Sequence, residues 1–307
     1  MKSLFQYIIE ARGVVTGSNS WSGLVDYLVS IYANIPDNED YFVDRSVLPG
    51  WMDECIIRKM DWIAGGIASY ADDESALIGN RMSVTIKLSN WLSSDKNKIR
   101  TTLEHEFQHA FDDWIGRYRR GKDTFIDDDY CVPIGYESPD FDDINYWDIL
   151  VNPQQCTFDH MFYLLRESTY WFSPTEINAF LREFSIYIKS YAAAHGNQWD
   201  WNDIHDNPNN GALPLIGMEF LHYVYDNINE YTGIDKDDLS WEYIMEGLNM
   251  HWADIVFGHK FPGKDKHAFR KVIGEIIKKK TSKAMSRYMR VLKDSGAELV
   301  NIPEWFK

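Results

Sequence analysis

Residues 102–111 read TLEHEFQHAF, and this stretch determines both the fold and the chemistry that the sequence predicts. His105 and His109 are four residues apart, so on a helix both imidazoles project from one face, one turn apart. At that separation, two neutral ring nitrogens can reach one tetrahedral Zn²⁺ at about 2.0–2.1 Å. Glu106 follows the first histidine, where it can hold a metal-bound water without occupying the metal, as a general base does. The stretch therefore predicts a helix that carries a metal site.

The residues around this stretch predict a long helix that follows a strand. Apolar residues recur with the helical period from Ile99 to Trp114. Ser93 or Ser94 can cap the start of the helix, Asp95 suits its positive first turn, and Gly121 can end it. Upstream, residues 81–90 alternate between apolar and polar, which predicts a half-buried strand. Its apolar face is formed by Met82, Val84, Ile86 and Leu88.

The stretch resembles the active-site helix of the zincin metallopeptidases, whose core is HExxH. The uncharged neighbours that the extended zincin signature asks for are present, namely Leu103, Phe107, Gln108, Ala110 and Phe111. The resemblance implies a peptidase whose Zn²⁺ is held by His105 and His109, with Glu106 as the general base that activates water. It also implies that the strand at 81–90 is an edge strand that pairs with an extended protein or peptide substrate.

We expect an α+β, zincin-like fold with four regions. Residues 1–10 form a leader that can be cleaved, 11–121 an N-terminal zincin subdomain with a small mixed sheet beside the HExxH helix, and 122–153 an acidic loop. Residues 154–307 form a mostly helical C-terminal subdomain. Apart from the HExxH helix, periodic apolar residues predict helices near 21–32, 158–168, 174–195, 213–231, 241–257 and 266–292.

A catalytic zinc needs a third protein ligand, and Glu176 is the first candidate. It lies on the first turn of a predicted helix, and its surroundings resemble the helix from which gluzincins take a glutamate ligand. The segment Ser173-Pro-Thr-Glu176 is also a capping box, in which Glu176 would instead accept from the Ser173 amide. The sequence leaves both roles open.

Further polar residues are candidates for the same site. Asp112 lies two turns after His105 and could bind the metal directly. Either Asp112 or Asp113 could instead hydrogen-bond to a histidine ligand and orient it. Zincins often add a tyrosine or histidine that stabilises the oxyanion, and Tyr170 and His160 are the candidates for that role.

The first eleven residues, MKSLFQYIIEA, resemble the capsid-targeting leader of internal head proteins in large tailed bacteriophages. That leader is cut after a hydrophobic-x-Glu triplet, and Ile8-Ile9-Glu10 fits the cut site. The resemblance implies a protein that is packaged in the phage head and delivered into the bacterial cytoplasm. The alternative is an amphipathic N-terminal helix that docks on the domain. Since the segment is too short and polar for a secretory signal, we expect no secretion by that route.

Charge and cysteine content restrict the partners. The 307 residues carry a net charge of −16, which argues against general nucleic-acid binding. The segment from Lys260 onward is basic, with 13 Lys and Arg against 5 Asp and Glu, and we expect it to be a solvated helix face. Three separated cysteines indicate a reducing compartment without disulfides or a cysteine metal site. No apolar run is long enough for a membrane span.

Two other functions remain open at this stage. The chain could be a virion structural or interaction protein that retains a zincin fold without catalysis. It could also bind nucleic acid through the basic segment at 264–293, although the acidic remainder of the chain argues against this.

Overall fold

The computed structural model describes residues 20–61, 68–90, 92, 95–121, 150, 153–155, 171–172, 174–203, 211–227, 266–296 and 298–306. These residues form a small mixed sheet and several helices, so the α+β class is confirmed. The chain divides into two units, Met1–Asp127 and Asp128–Lys307. The predicted leader and the predicted helices at 158–168 and 241–257 lie outside the described residues, as does nearly all of the predicted acidic loop.

The described part of the first unit contains two α-helices and a five-stranded sheet. The elements are α1 (Trp21–Ile31), β1 (Asp40–Phe42), β2 (Met52–Met60), β3 (Ala68–Tyr70), β4 (Ala76–Ile78), β5 (Arg81–Ser89) and α2 (Lys96–Ile115). β1 is antiparallel to β2, β2 is parallel to β5, and both β3 and β4 are antiparallel to β5. Apolar residues of α1, β2, β5 and α2 form one buried core.

Strand β5 lies inside the sheet, which corrects the expectation that residues 81–90 form an edge strand. β2 occupies one side of β5, and β3 and β4 occupy the other, so β5 has no edge left for a substrate. The predicted apolar face is confirmed, because Met82, Val84, Ile86 and Leu88 are all buried. Ser83, Thr85 and Ser89 are buried as well, so the strand is almost fully buried rather than half-buried.

The cap of helix α2 lies one residue after Ser94 and two after Ser93, the predicted caps. Asp95 is the cap, because its backbone is extended and its side chain accepts a hydrogen bond from the Asn97 amide. Asp95 therefore does not lie in the first turn, as the sequence had suggested. The helix continues into one π-helical turn, Gly116–Arg120, and ends at Gly121, whose φ of +61° confirms the predicted stop.

The described part of the second unit is mainly helical. Its elements are α3 (Pro174–Ala194), β6 (Gln198–Asp200), α4 (Leu213–Asn227), α5 (Lys266–Ile276), α6 (Ser282–Ser295) and β7 (Glu298–Val300). A π-helical turn, Ile277–Thr281, joins α5 to α6, so the long helix predicted at 266–292 is confirmed. The helices predicted from 174 and from 213 are confirmed as α3 and α4. The short parallel pair of β6 and β7 was not predicted.

Aromatic side chains fill the core of this second unit. Trp171, Trp199 and Tyr288 are among its largest buried side chains. The ring of Phe184 lies 5.6 Å from that of Trp199 and 5.0 Å from that of Tyr288, centroid to centroid. Such edge contacts between rings add to the stabilisation that their burial provides.

The sequence did not predict strand β2, which contains the buried Cys55. Burial of the Cys55 thiol raises its pKa well above the usual value. No helix among the described residues combines the length and the apolar character that a membrane crossing requires.

Candidate metal centre

His105 and His109 lie on α2 and present their rings together, as the spacing of four residues predicts. The ring centroids are 4.8 Å apart, and the ring planes make an angle of 75°. His109 is buried, and the Nδ1 atom of each ring is shielded from solvent. The helix therefore brings two imidazoles to one protected position.

Glu176 lies in the first turn of α3 and is buried. One ring nitrogen of His105, one ring nitrogen of His109 and one carboxylate oxygen of Glu176 lie within 4.8 Å of one another, so this group could hold a metal ion. Two imidazoles and a carboxylate are a donor set that catalytic zinc sites use. Ser173, the partner of Glu176 in the alternative capping box, lies outside the described residues.

Glu106 is buried, and a backbone amide of the sheet holds its carboxylate. The N–H of Tyr70, the last residue of β3, donates to Oε2 of Glu106 over 2.6 Å. A hydrogen bond to a carboxylate is stronger than one between neutral groups. One oxygen of the expected general base is therefore fixed against the sheet.

The side chain of Tyr70 contacts the same helix two turns further on. Its hydroxyl donates to Oδ2 of Asp113 over 2.6 Å, and Asp113 has no exposed surface. Burial, followed by the negative charge of Asp113, raises the pKa of Tyr70 far above its usual value. The hydroxyl therefore keeps its proton and remains a donor.

Arg117 completes this arrangement. Its Nε donates to Oδ1 of Asp113 over 2.8 Å, one turn along the same helix. Its Nη2 donates to the carbonyl of Asp72 over 3.3 Å, and its Nη1 to that of Ser75 over 3.5 Å. Arg117 thus balances the charge of Asp113 and contacts the loop that follows Tyr70.

The other predicted site residues have different surroundings. Asp112 is buried and accepts from Nε2 of Gln108 over 2.9 Å; it is not a member of the group that could hold a metal. Asp113 bonds to Tyr70 and Arg117, as described above. Tyr170 and His160 lie outside the described residues.

Sequence reasoning missed Tyr70. Strand β3 has only three residues, too few to show an alternating pattern. The hydrogen bonds of Tyr70 join residues that are 36 and 43 positions apart in the chain. No local signal reports a contact of that kind.

No protein-family model, no curated protein and no solved structure gives a significant match to this chain. The functional assignment therefore depends on the geometry of the site and on the resemblance of the HExxH helix.

Proposed function

We propose that this chain is a zinc-dependent peptidase of the zincin type. His105, His109 and Glu176 hold Zn²⁺, and Glu106 is the general base. The observation that carries this proposal is the group of two ring nitrogens and one carboxylate oxygen within 4.8 Å of one another, with the buried Glu106 next to His105 in the same helix. The sequence nominated the same three ligands from the HExxH spacing and from the position of Glu176.

The chemistry of the donor atoms supports zinc. Three ligands leave a fourth tetrahedral position for water or substrate, as in catalytic rather than structural zinc sites. The proposed ligand Glu176 is itself buried. Burial of carboxylates is costly unless cations or hydrogen bonds compensate, and a bound divalent cation contributes that compensation.

The roles of the protein groups follow from their positions. A zinc ion supplies Lewis acidity and a water of lowered pKa. Glu106 takes a proton from the attacking water and returns it to the leaving amine. The Tyr70 amide, bonded to Oε2 of Glu106, orients this carboxylate for the proton transfers.

We propose that β3, rather than the interior strand β5, pairs with the substrate. The amide of Ala71 bonds to the Thr85 carbonyl in β5, whereas the amide of Tyr70 bonds to Glu106. Since the direction of backbone groups alternates along a strand, the N–H and C=O of Ala68 face the same side as the Tyr70 amide. An extended peptide could add to this edge by backbone hydrogen bonds.

The decisive experiment combines zinc analysis with cleavage of a denatured-protein or peptide library. We expect one zinc per wild-type chain and measurable cleavage. Glu106→Gln should retain the zinc but cleave at least about 100-fold more slowly, since general-base catalysis contributes about 10²–10⁴-fold. Glu39→Gln, which neutralises an exposed carboxylate in the same unit, is the matched control and should behave as wild type.

Two results would contradict the proposal. Absence of zinc from the wild-type protein would contradict the proposed metal site. Unchanged cleavage by Glu106→Gln would contradict the role of Glu106 as general base. Zinc binding without any cleavage would instead favour the alternative of an inactive zincin-fold virion or interaction protein.

A further inference from the structure

We infer that Tyr70 is a positioning residue for Glu106. Its hydroxyl, bonded to Asp113, fixes the end of β3 on α2, and its amide then keeps Oε2 of Glu106 in one place. The catalytic consequence of this inference rests on the proposed role of Glu106 as general base. The positioning itself can be tested without any substrate.

The geometry is a two-point attachment of one residue to one helix. The amide of Tyr70 contacts Glu106 and its hydroxyl contacts Asp113, each over 2.6 Å. These two carboxylates are seven residues apart, or about 10 Å along a helix that rises 1.5 Å per residue. A strand end attached only through its amide could pivot about that bond, whereas two attachments two turns apart fix its orientation.

The second attachment is itself supported. Asp113 is completely buried and also accepts from Arg117, so its carboxylate is held from two sides. Arg117 contacts the carbonyls of Asp72 and Ser75, in the loop that leaves β3. In that loop, Ser75 Oγ donates to the Ala71 carbonyl and accepts from the Thr85 amide. The chain on the C-terminal side of Tyr70 is therefore tied both to β5 and to α2.

The consequence for Glu106 concerns orientation. A carboxylate with one oxygen fixed presents the other in a defined direction, and a precisely placed base is more effective than one that samples several rotamers. Loss of the hydroxyl should therefore lower kcat while KM changes little. Zinc affinity should also change little, because Tyr70 is not one of the proposed ligands.

Amide hydrogen exchange in Tyr70→Phe tests the positioning directly. This variant keeps the buried ring and removes only the hydroxyl. We expect exchange at the amide of residue 70 to become at least about tenfold faster, since hydrogen bonds to charged groups are among the stronger ones in proteins. Exchange at the amide of residue 71, which bonds to Thr85 in the sheet, should stay unchanged. A merely structural loss would accelerate both amides together.

Two further variants sharpen the test. Asp113→Asn removes the charge that holds the hydroxyl and should also accelerate exchange at residue 70. Tyr27→Phe is the matched control, because its hydroxyl bonds to that of Tyr41 over 2.8 Å in the same unit, with no role at Glu106. It should leave exchange at residue 70, kcat and zinc binding unchanged.

The outcomes separate this inference from the proposed function. Equal exchange at residue 70 in wild type and Tyr70→Phe, or equal acceleration at residues 70 and 71, overturns the inference. So does a kcat for Tyr70→Phe that equals that of an active wild type. If wild-type protein cleaves nothing, the proposed function fails, while the exchange contrast still decides whether Tyr70 positions Glu106.

Discussion

Individual carboxylates in this protein are kept away from water, each with different partners. Glu106 accepts from a backbone amide, and Asp113 accepts from a hydroxyl and a guanidinium. Glu176 instead shares a position with two imidazoles. Because a buried carboxylate needs compensation for its lost hydration, each arrangement indicates what that residue does. Only the last arrangement has the chemistry of a metal ligand.

Glu176→Gln provides a prediction at this scale. The substitution keeps the shape of the side chain but removes the negative charge that a zinc ligand supplies. We expect zinc affinity to fall roughly tenfold or more, a loss that even indirect disturbance of a metal site can produce. Competition with a chromogenic chelator measures it. Glu183→Gln, two turns along α3, is the control, and equal affinities in the two variants would exclude Glu176 as a ligand.

The sequence predicted some of these residues and not others for a physical reason. One helix carries His105, Glu106 and His109. Because the helical repeat is regular, their relative positions follow directly from their spacing in the sequence. Glu176 could be nominated because it lies in the first turn of a predicted helix. The segment Ser173-Pro-Thr-Glu176 also fits a capping box, so the sequence alone did not decide between the two roles. Tyr70 acts through contacts between distant segments, and those depend on how strand and helix pack.

Strand pairing shows the same distinction among the secondary-structure elements. The alternation in β5 correctly predicts which face is buried. It carries no information on the edges of the strand, which depend on β2, β3 and β4. The interior position of β5 therefore could not be derived from its own residues, and the edge that faces Glu106 belongs to the shorter β3.

An ion-pair network on the sheet predicts a dependence of stability on pH. Glu74 bonds to Lys87 over 2.6 Å and to Arg58 over 2.9 Å, which lowers the pKa of the Glu74 carboxyl. A lowered folded-state pKa stabilises the fold above the ordinary carboxyl pKa of about 4.3, and this contribution is lost as the pH falls through the folded value.

Glu74→Gln should therefore be less stable than wild type at pH 7, by at most about 1 kcal/mol for such part-exposed pairs. The difference should shrink in acid, below the pKa of Glu74 in the folded protein. Denaturant unfolding at both pH values measures it. Glu39→Gln should show no such difference. If Glu74→Gln remained less stable than wild type in acid, its loss of stability would not come from the ionisation of Glu74.

Substitution of Gly211, two residues before α4, should have a larger effect on stability. Gly211 has a φ of +72°, and a Cβ there would lie 2.3 Å from the Phe180 carbonyl oxygen and 2.4 Å from the Phe184 nitrogen of α3. Both are backbone atoms that cannot move away. We expect Gly211→Ala to lose about 2–5 kcal/mol, from the left-handed backbone and the overpacking together.

Gly79→Ala is the matched control for Gly211→Ala. Gly79 has a similar φ of +64° but no atom within 4 Å of the added carbon. It should lose only the conformational part, about 1–2 kcal/mol. Equal losses in thermal unfolding would contradict the close approach of Gly211 to α3.

For the whole molecule, net charge conceals an uneven distribution. The chain carries −16, yet α6 exposes Lys283, Arg290 and Lys293 while it buries Ala284, Tyr288 and Leu292. Residues 282–295 of the basic segment thus fold as an amphipathic helix whose apolar side lies in the core of the second unit. The exposed basic side of α6 agrees with the solvated helix face that the sequence predicts for this segment.

Metal removal gives the prediction for the complete protein. The proposed ligands are separated by as much as 71 residues, so a site of this kind exists only in the folded chain. Zinc at about 100 times its Kd should stabilise the fold by about 2.7 kcal/mol. Calorimetry should therefore show a Tm several degrees lower after chelation, with recovery on adding zinc. A Tm that ignores zinc in wild type, or an equal zinc response in Glu176→Gln, would contradict the proposed ligand set.

The buried thiol of Cys55 in β2 can report how often the first unit opens. A thiolate attacks an alkylating reagent and displaces its leaving group. Because Cys55 is fully enclosed and its pKa is raised, it can react only after its strand separates from its neighbours. The rate at which Cys55 acquires such a label, followed by peptide mass spectrometry, reports how often the sheet beneath α2 comes apart. The unmodified protein therefore needs no introduced probe for this measurement.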